Sequence, residues 1–256
     1  MERVTVALRA ALNNWSEGSM PRDVLFWADP EVRIHSVEAT VLATTLPFET
    51  ALPAREGTNY PGRLNHAGYY WFAGSNRHVR HESMLEYTAL MWLDYTHQIR
   101  SIAAQPMVIR FRDGTTHVPD FFAVERSERR LLIDVHPVDL MDDIAVAQFD
   151  KTGAICRRVG WTYMLLTEFR TGFVNNLEWL AAYRHPRYAP TSDLTEAVCQ
   201  FAARATSLDE ALAWLKTAYP AAGMGVLYNL MWQRVLSFSE DVPLSWSTKV
   251  WAGRTA

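Results

Sequence analysis

Apolar residues change their period several times along the chain, and each change predicts an element. Met1–Trp15 reads as a short amphipathic helix and lacks the unbroken apolar core of a signal peptide. Phe26–Leu46 alternates in β-rich patches, enough for a strand or two. Leu46–Gly62 then brings several Pro and Gly residues and reads as an irregular linker. His66–Val79 is aromatic-rich around a Gly-Ser-Asn turn and predicts a hairpin. Over Glu82–Tyr95 the period lengthens. Met84, Leu85, Thr88, Met91 and Trp92 recur every three or four residues and give a helix one apolar face. Ser83 is placed to cap it, with Glu86 three residues on as in a capping box.

Three strand-like runs follow. Met107–Arg112 ends at the Asp113-Gly114 turn signal, Thr116–Val124 comes next, and Leu131–Pro137 follows the polar segment Ser127–Arg130. They predict an antiparallel meander. Asp139–Gly160 reads as a helix closed by Gly160, and Thr162–Glu168 as a fourth strand, paired in parallel because a helix precedes it. The order α-β-β-β-α-β predicts an α/β (α+β) protein built on a mixed sheet. Beyond it, Leu194–Ala205, Ser207–Ala218 and Met224–Phe238 read as three helices, with Ser207 and Glu210 as a second capping box, and Asp241–Trp251 ends strand-like. A winged-helix-like module fits this tail, as do several other small helical domains. The proline-rich Tyr183–Ser192 stretch divides the chain into 1–75, a core at 76–182, and a C-terminal domain at 183–256.

Composition narrows the classes. With 256 residues, 49% apolar and 21% charged, the chain has the balance of a folded globular protein. No apolar run is long enough to span a bilayer, so neither a membrane nor a secretory route is expected, and the two cysteines, Cys156 and Cys199, read as buried thiols of a cytoplasmic protein. The net charge of −3 does not advertise nucleic-acid binding, nor does it exclude a local phosphate-binding patch. Only Lys151, Lys216 and Lys249 are lysines, which leaves few candidates for a catalytic lysine.

The chemistry lies in the strand pair. Pro119-Asp120 is followed fourteen residues later by Asp134-x-His136. If the turn between the strands centres on Ser127–Arg129, Asp120 falls opposite His136, while Asp134 and His136 project from the same face. Asp134 also interrupts an apolar run, Leu131–Val135, where an uncompensated carboxylate is expensive. Glu86, from a helix on that face, would add a third carboxylate, although the capping box alone also accounts for it. Three carboxylates suit Mg²⁺ or Mn²⁺, and such an ion can activate water and neutralise charge on a phosphodiester. Other constellations are weaker: His78, His81 and Glu82 match no zinc spacing, and no phosphate loop, serine elbow or dinucleotide fingerprint is present.

His81–Glu86, Leu93–Tyr95, Gln105-Pro106, Val118–Phe122, Ile133–Pro137 and Cys156–Leu166 together resemble the PD-(D/E)xK nuclease superfamily, and more narrowly its TnsA-like heteromeric transposase endonuclease subunits. The likeness extends upstream through Asn59–Gly62, Tyr70-Trp71 and Arg77–Val79, and downstream through Trp179–Arg187 and Leu227–Ser245. It implies a restriction-endonuclease-like core in which Glu86, Asp120 and Asp134 bind the metal and catalyse. It also implies phosphodiester hydrolysis at transposon ends beside a separate transposase, and a C-terminal helical domain for partner or DNA contacts. Gln105 and Lys151 are possible accessory residues.

His136 departs from the pattern, since the family carries lysine there. Imidazole has an ordinary pKa of about 6.5. Neutral, it can serve as general base or metal ligand; protonated, it can imitate lysine. Lys151, on the following helix, is a second candidate for the lysine's part. A third reading is a catalytically silent DNA- or protein-binding subunit that keeps the fold.

Overall fold

The computed structural model describes residues 2–15, 22–55 and 67–253. The Asn59–Gly62 part of the resemblance, and most of the second half of the expected linker, lie outside the described residues. The chain divides into two compact units, Met1–Glu168 and Phe169–Ala256.

In the first unit, helix α1 (Glu2–Asn13) leads to strands β1 (Val24–Ala28) and β2 (Ile34–Glu38). The hairpin β3 (Gly68–Phe72) and β4 (Arg77–His81) precedes α2 (Met84–Thr96). Strands β5 (Ile99–Ala104), β6 (Val108–Arg110), β7 (Thr116–His117), β8 (Phe121–Glu125) and β9 (Arg130–Val135) follow, then α3 (Asp143–Val159) and β10 (Thr162–Leu166). They make two four-stranded sheets, ordered β2-β1-β6-β7 and β10-β9-β8-β5. The protein is thus mixed α/β, with α2-β5-β8-β9-α3-β10 supplying the expected order and β10 parallel to β9.

The first strand of that order is not the expected one. Met107–Arg112 contributes β6, which pairs with β1 in the other sheet, and the strand beside β8 is β5. Nothing in Ile99–Ala104 announces a strand, because its two small alanines carry little β propensity and its identity comes from pairing. The Thr116–Val124 run is likewise split, with β7 on β6 and β8 on β9. Both breaks are local in cause. Gln105 sits at φ 50, in the left-handed region, just before Pro106, and Pro119 offers no N–H to a ladder. The chain therefore crosses between sheets twice, and the crossings meet: Gln105 N donates to the Asp120 carbonyl at 2.7 Å.

Strand alternation places the core. Leu25, Trp27, Ile109 and Phe111 of the first sheet pack with Phe122, Val124 and Leu132 of the second and with Ile155, Cys156 and Val159 of α3. The other face of β1 and β6 carries Val24, Phe26 and Val108 against Val4 and Leu8 of α1, which confirms the amphipathic helix. Each such buried side chain contributes about 1.5–3 kcal/mol of transfer free energy. The described residues up to Ala54 are thereby built into this unit rather than standing before it.

The second unit contains α4 (Thr171–Ala181), α5 (Ser192–Phe201), β11 (Thr206–Ser207), α6 (Leu208–Ala218), α7 (Gly225–Trp232), β12 (Leu236–Phe238) and β13 (Lys249–Ala252). Its small sheet runs β11-β13-β12. The division falls at residue 168 rather than near 183 because α4 belongs to this unit. Buried Asn176 donates to the carbonyls of Glu240 and Val242 and accepts from Leu244 N. Ser207 and Glu210 form the expected capping box. The helix expected to reach Phe238 stops at Trp232, where Arg234 turns left-handed at φ 60 and the chain enters β12.

Candidate functional site

Glu86 is delivered by the start of α2. Ser83 Oγ accepts from Glu86 N at 3.1 Å and donates to Glu86 Oε1 at 3.2 Å. The other carboxylate oxygen accepts from Glu82 N at 2.7 Å, one residue before the cap, so the expected capping box is only half formed. Glu86 is buried, and burial raises its pKa, with the charge of Glu82 adding to the rise.

Asp120 stands at the second crossing, immediately before β8. Phe121 lies opposite Ile133, so continuing the ladder brings Asp120 level with Asp134 and not His136. The turn is centred earlier than expected, on Ser127, with Glu128 left-handed at φ 66. This matches a three-residue hairpin loop. Asp120 Oδ2 accepts from Val135 N at 2.8 Å. Burial pushes its pKa well above the carboxylate range, and the charges of Glu86 and Asp134 push it further. Two arginines offset this negative charge. Arg55 lies 3.2 Å from Glu82 and 3.9 Å from Asp120, and Arg80 lies 3.2 Å from Glu82. Gln105, expected as an accessory, is buried beside Asp120 through the backbone bond already described, and its Oε1 has no hydrogen-bond partner among the described residues.

Asp134 is placed differently from expectation. It shares a strand face with Leu132 and so lies in the layer between the sheets and α3, where it is 1% exposed. His117 Nε2 donates to its two oxygens at 2.9 and 3.0 Å, and the Tyr163 hydroxyl donates at 2.6 Å. With Nε2 as donor, His117 Nδ1 is the acceptor for Gln148 Nε2 at 2.8 Å. The carboxylate is thus compensated by hydrogen-bond donors, as its interruption of an apolar run requires. Burial and the Asp134 charge drive the Tyr163 pKa upward and keep the phenol protonated as a donor.

His136 follows the end of β9. Its Nε2 donates to the Leu140 carbonyl at 3.0 Å, and its ring meets Phe149 edge-on at 5.3 Å. Lys151 is tied to the β6–β7 turn, bonded to Asp113 and Thr115 at 2.9 Å with its ammonium 4.6 Å from the Phe111 ring centroid. Its other contacts therefore account for it fully as a clip on that turn. Of the sequence candidates, Glu86, Asp120 and Gln105 come together, Asp134 acts on Asp120 by its charge, and His136 and Lys151 have other partners. Arg55, His117, Gln148 and Tyr163 were missed, and Glu82 was weighed only beside His78 and His81. His117, two residues before Pro119, and Glu82, beside the helix cap, carried the nearest signals.

The donor chemistry of Glu86 and Asp120 fits a hard divalent cation, since both offer oxygens and burial and repulsion disfavour the negative charge that a cation would offset. Asp134, as placed, has its oxygens engaged, and no group of three or more His, Cys, Asp or Glu side chains among the described residues is arranged to hold a metal. A cavity of about 360 Å³ opens elsewhere in the unit, lined by Trp27, Asp29, Arg33, His35 and Thr50 among others, and includes none of the motif residues.

Both cysteines are free. Cys156 is buried, which pushes its thiol pKa up to about 12, whereas Cys199 is only half-buried. Trp161 and Trp232 are buried, whereas Trp179 is exposed. No helix among the described residues is long and apolar enough to cross a membrane. Comparison of the chain with protein-family models and with curated proteins gives no match.

Proposed function

We propose that this protein is a Mg²⁺- or Mn²⁺-dependent DNA endonuclease subunit with a restriction-endonuclease-like core, related to the TnsA-like subunits and working beside a transposase. The observation that carries the reading is the pair Glu86 and Asp120: burial raises the pKa of both, the charge of Glu86 raises that of Asp120 further, and Asp120 stands where two sheet crossings meet. The α-β-β-β-α-β order of the β10-β9-β8-β5 sheet supports the core assignment. Glu86 and Asp120 would hold the cation, which when bound activates water and offsets charge on the phosphodiester. Ser83 and the Glu82 amide orient Glu86, Val135 N orients Asp120, and Arg55 supplies positive charge beside both.

In the second unit, the order α5-β11-α6-α7-β12-β13 supports a winged-helix-like module. The helix that would read a DNA groove is α7, Gly225–Trp232, which has no charged residue and is largely buried. That favours a partner-protein role for this module.

Asp134 and His136 favour a second reading, a catalytically silent subunit, because both have protein partners in place of the expected metal and lysine roles. Nicking of supercoiled plasmid by the full chain in Mg²⁺ or Mn²⁺, with and without the partner, separates the two. Asp120→Ala is expected to lower nicking at least a hundredfold, on the scale of losing a principal electrostatic group. Wild-type nicking by that variant would overturn the site. No nicking by the natural chain under any of these conditions would leave the silent subunit.

A further inference from the structure

Arg55 is anchored at the same crossing as Asp120, although the two are far apart in sequence. Leu52 N donates to the Ala28 carbonyl at the end of β1, at 2.9 Å. Ala54 is buried in the cluster of Val4, Phe26 and Val108. Its N donates to the Gln105 carbonyl at 2.7 Å, and Gln105 N donates in turn to the Asp120 carbonyl at 2.7 Å. Backbone bonds and apolar packing therefore fix the chain up to the residue before Arg55.

The side chain is held less firmly than its base. It is 45% exposed, and its Nη2 lies 3.2 Å from Glu82 Oε2 and 3.9 Å from Asp120 Oδ1, the second distance beyond hydrogen-bond reach. Arg80, whose side chain is 14% exposed, pairs with the other oxygen of Glu82 at 3.2 Å. Glu82 therefore keeps a cation when Arg55 leaves it. Burial raises the pKa of the Glu86 and Asp120 carboxyls, and the Arg55 charge opposes that rise, so the guanidinium acts on both. The other candidate cations are tied elsewhere, His136 to the Leu140 carbonyl and Lys151 to Asp113 and Thr115. A guanidinium can donate two parallel N–H bonds to a phosphate, and it stays charged where imidazole has lost its proton.

Resting on the nuclease reading, we propose that Arg55 is a catalytic residue that moves from Glu82 to grip the scissile phosphate, the part expected of His136 or Lys151. The full chain and its variants test it. Arg55→Ala is expected to melt like the natural chain and, with a competing charge gone, to bind Mn²⁺ at least as tightly by calorimetry. At saturating Mn²⁺ it should nick supercoiled plasmid at least a hundredfold more slowly, and Arg55→Lys should recover about tenfold of that loss. Binding of a labelled duplex, followed by anisotropy in Ca²⁺ across a range of NaCl, reads the phosphate contact apart from cleavage. The slope of log affinity against log salt is expected to shallow by about one in Arg55→Ala. An unchanged slope overturns the role, as does a loss of nicking that only mirrors a loss of Mn²⁺ affinity. Asp120-dependent nicking that survives Arg55→Ala would sink the role of Arg55 alone. An Arg55-dependent salt slope without nicking by the natural chain would sink the nuclease reading alone and leave Arg55 a phosphate contact.

Discussion

Asp120 makes the sharpest residue-scale statement, because its charge is disfavoured by everything around it except Val135 N and Arg55. A carboxyl that binds its proton more tightly folded than unfolded stabilises the fold fully below the ordinary carboxylate pKa of about 3.9. That stabilisation is lost as pH rises through the raised folded value. Asp120→Asn removes the ionisation and can keep the bond from Val135 N. It is expected to stabilise the protein by about 0.5–2 kcal/mol at pH 8, a gain that vanishes at pH 3. Thermal melts at the two pH values measure this. Mg²⁺ should raise the melting temperature of the natural chain at pH 8 and leave the variant unmoved. Equal melts for the two proteins at pH 8 would mean that the carboxylate is not strained. The motif's residue types were legible in the sequence. Their state was not, because desolvation depends on which groups pack together.

At the element scale, the start of α2 couples helix formation to the site. Ser83 caps the helix and also holds Glu86, so Ser83→Ala removes both bonds. A loss of about 1 kcal/mol of stability is expected, with weaker metal binding, and Ser83→Thr should preserve both. Calorimetry of Mn²⁺ binding beside a melt checks the pair of effects; lowered stability with unchanged Mn²⁺ affinity would confine Ser83 to capping. Helix α2, its cap, the Gly160 terminus of α3 (φ 84) and the parallel β10 could all be read from period and punctuation. Strand β5 and the allocation of β6 could not, since short strands are defined by partners. The β8–β9 register missed by two residues because Glu128, a non-glycine, takes the left-handed position that sets the loop. A slip of two keeps the residues of β8 and β9 on their faces while changing Asp120's opposite number from His136 to Asp134.

Across the whole molecule, the two sheets of the first unit are joined by apolar packing and by one buried polar chain, Gln148–His117–Asp134–Tyr163. His117 belongs to one sheet and Asp134 to the other. Removing one partner of a buried pair strands the other, so His117→Ala is expected to lose about 3 kcal/mol of unfolding free energy in urea. A change below about 0.5 kcal/mol would show that the pair does not hold the sheets together. Asp134, the residue that looked most like a ligand from its apolar surroundings, is accounted for by this chain.

Periodicity, caps and turn residues act between neighbours a few positions apart. The sequence by itself therefore determined α1, α2, α3, α5 and α6, the hairpins, the α/β class and the short list of acidic residues that includes Glu86 and Asp120, but not α4. Which carboxylates meet was decided only in three dimensions. Two kinks, at Gln105-Pro106 and Pro119-Asp120, send adjacent strands into different sheets, and the distant Arg55, itself paired with Glu82, lies beside Asp120. Burial, repulsion and the partners of Asp134 and His136 follow from that crossing, and no local pattern encodes it.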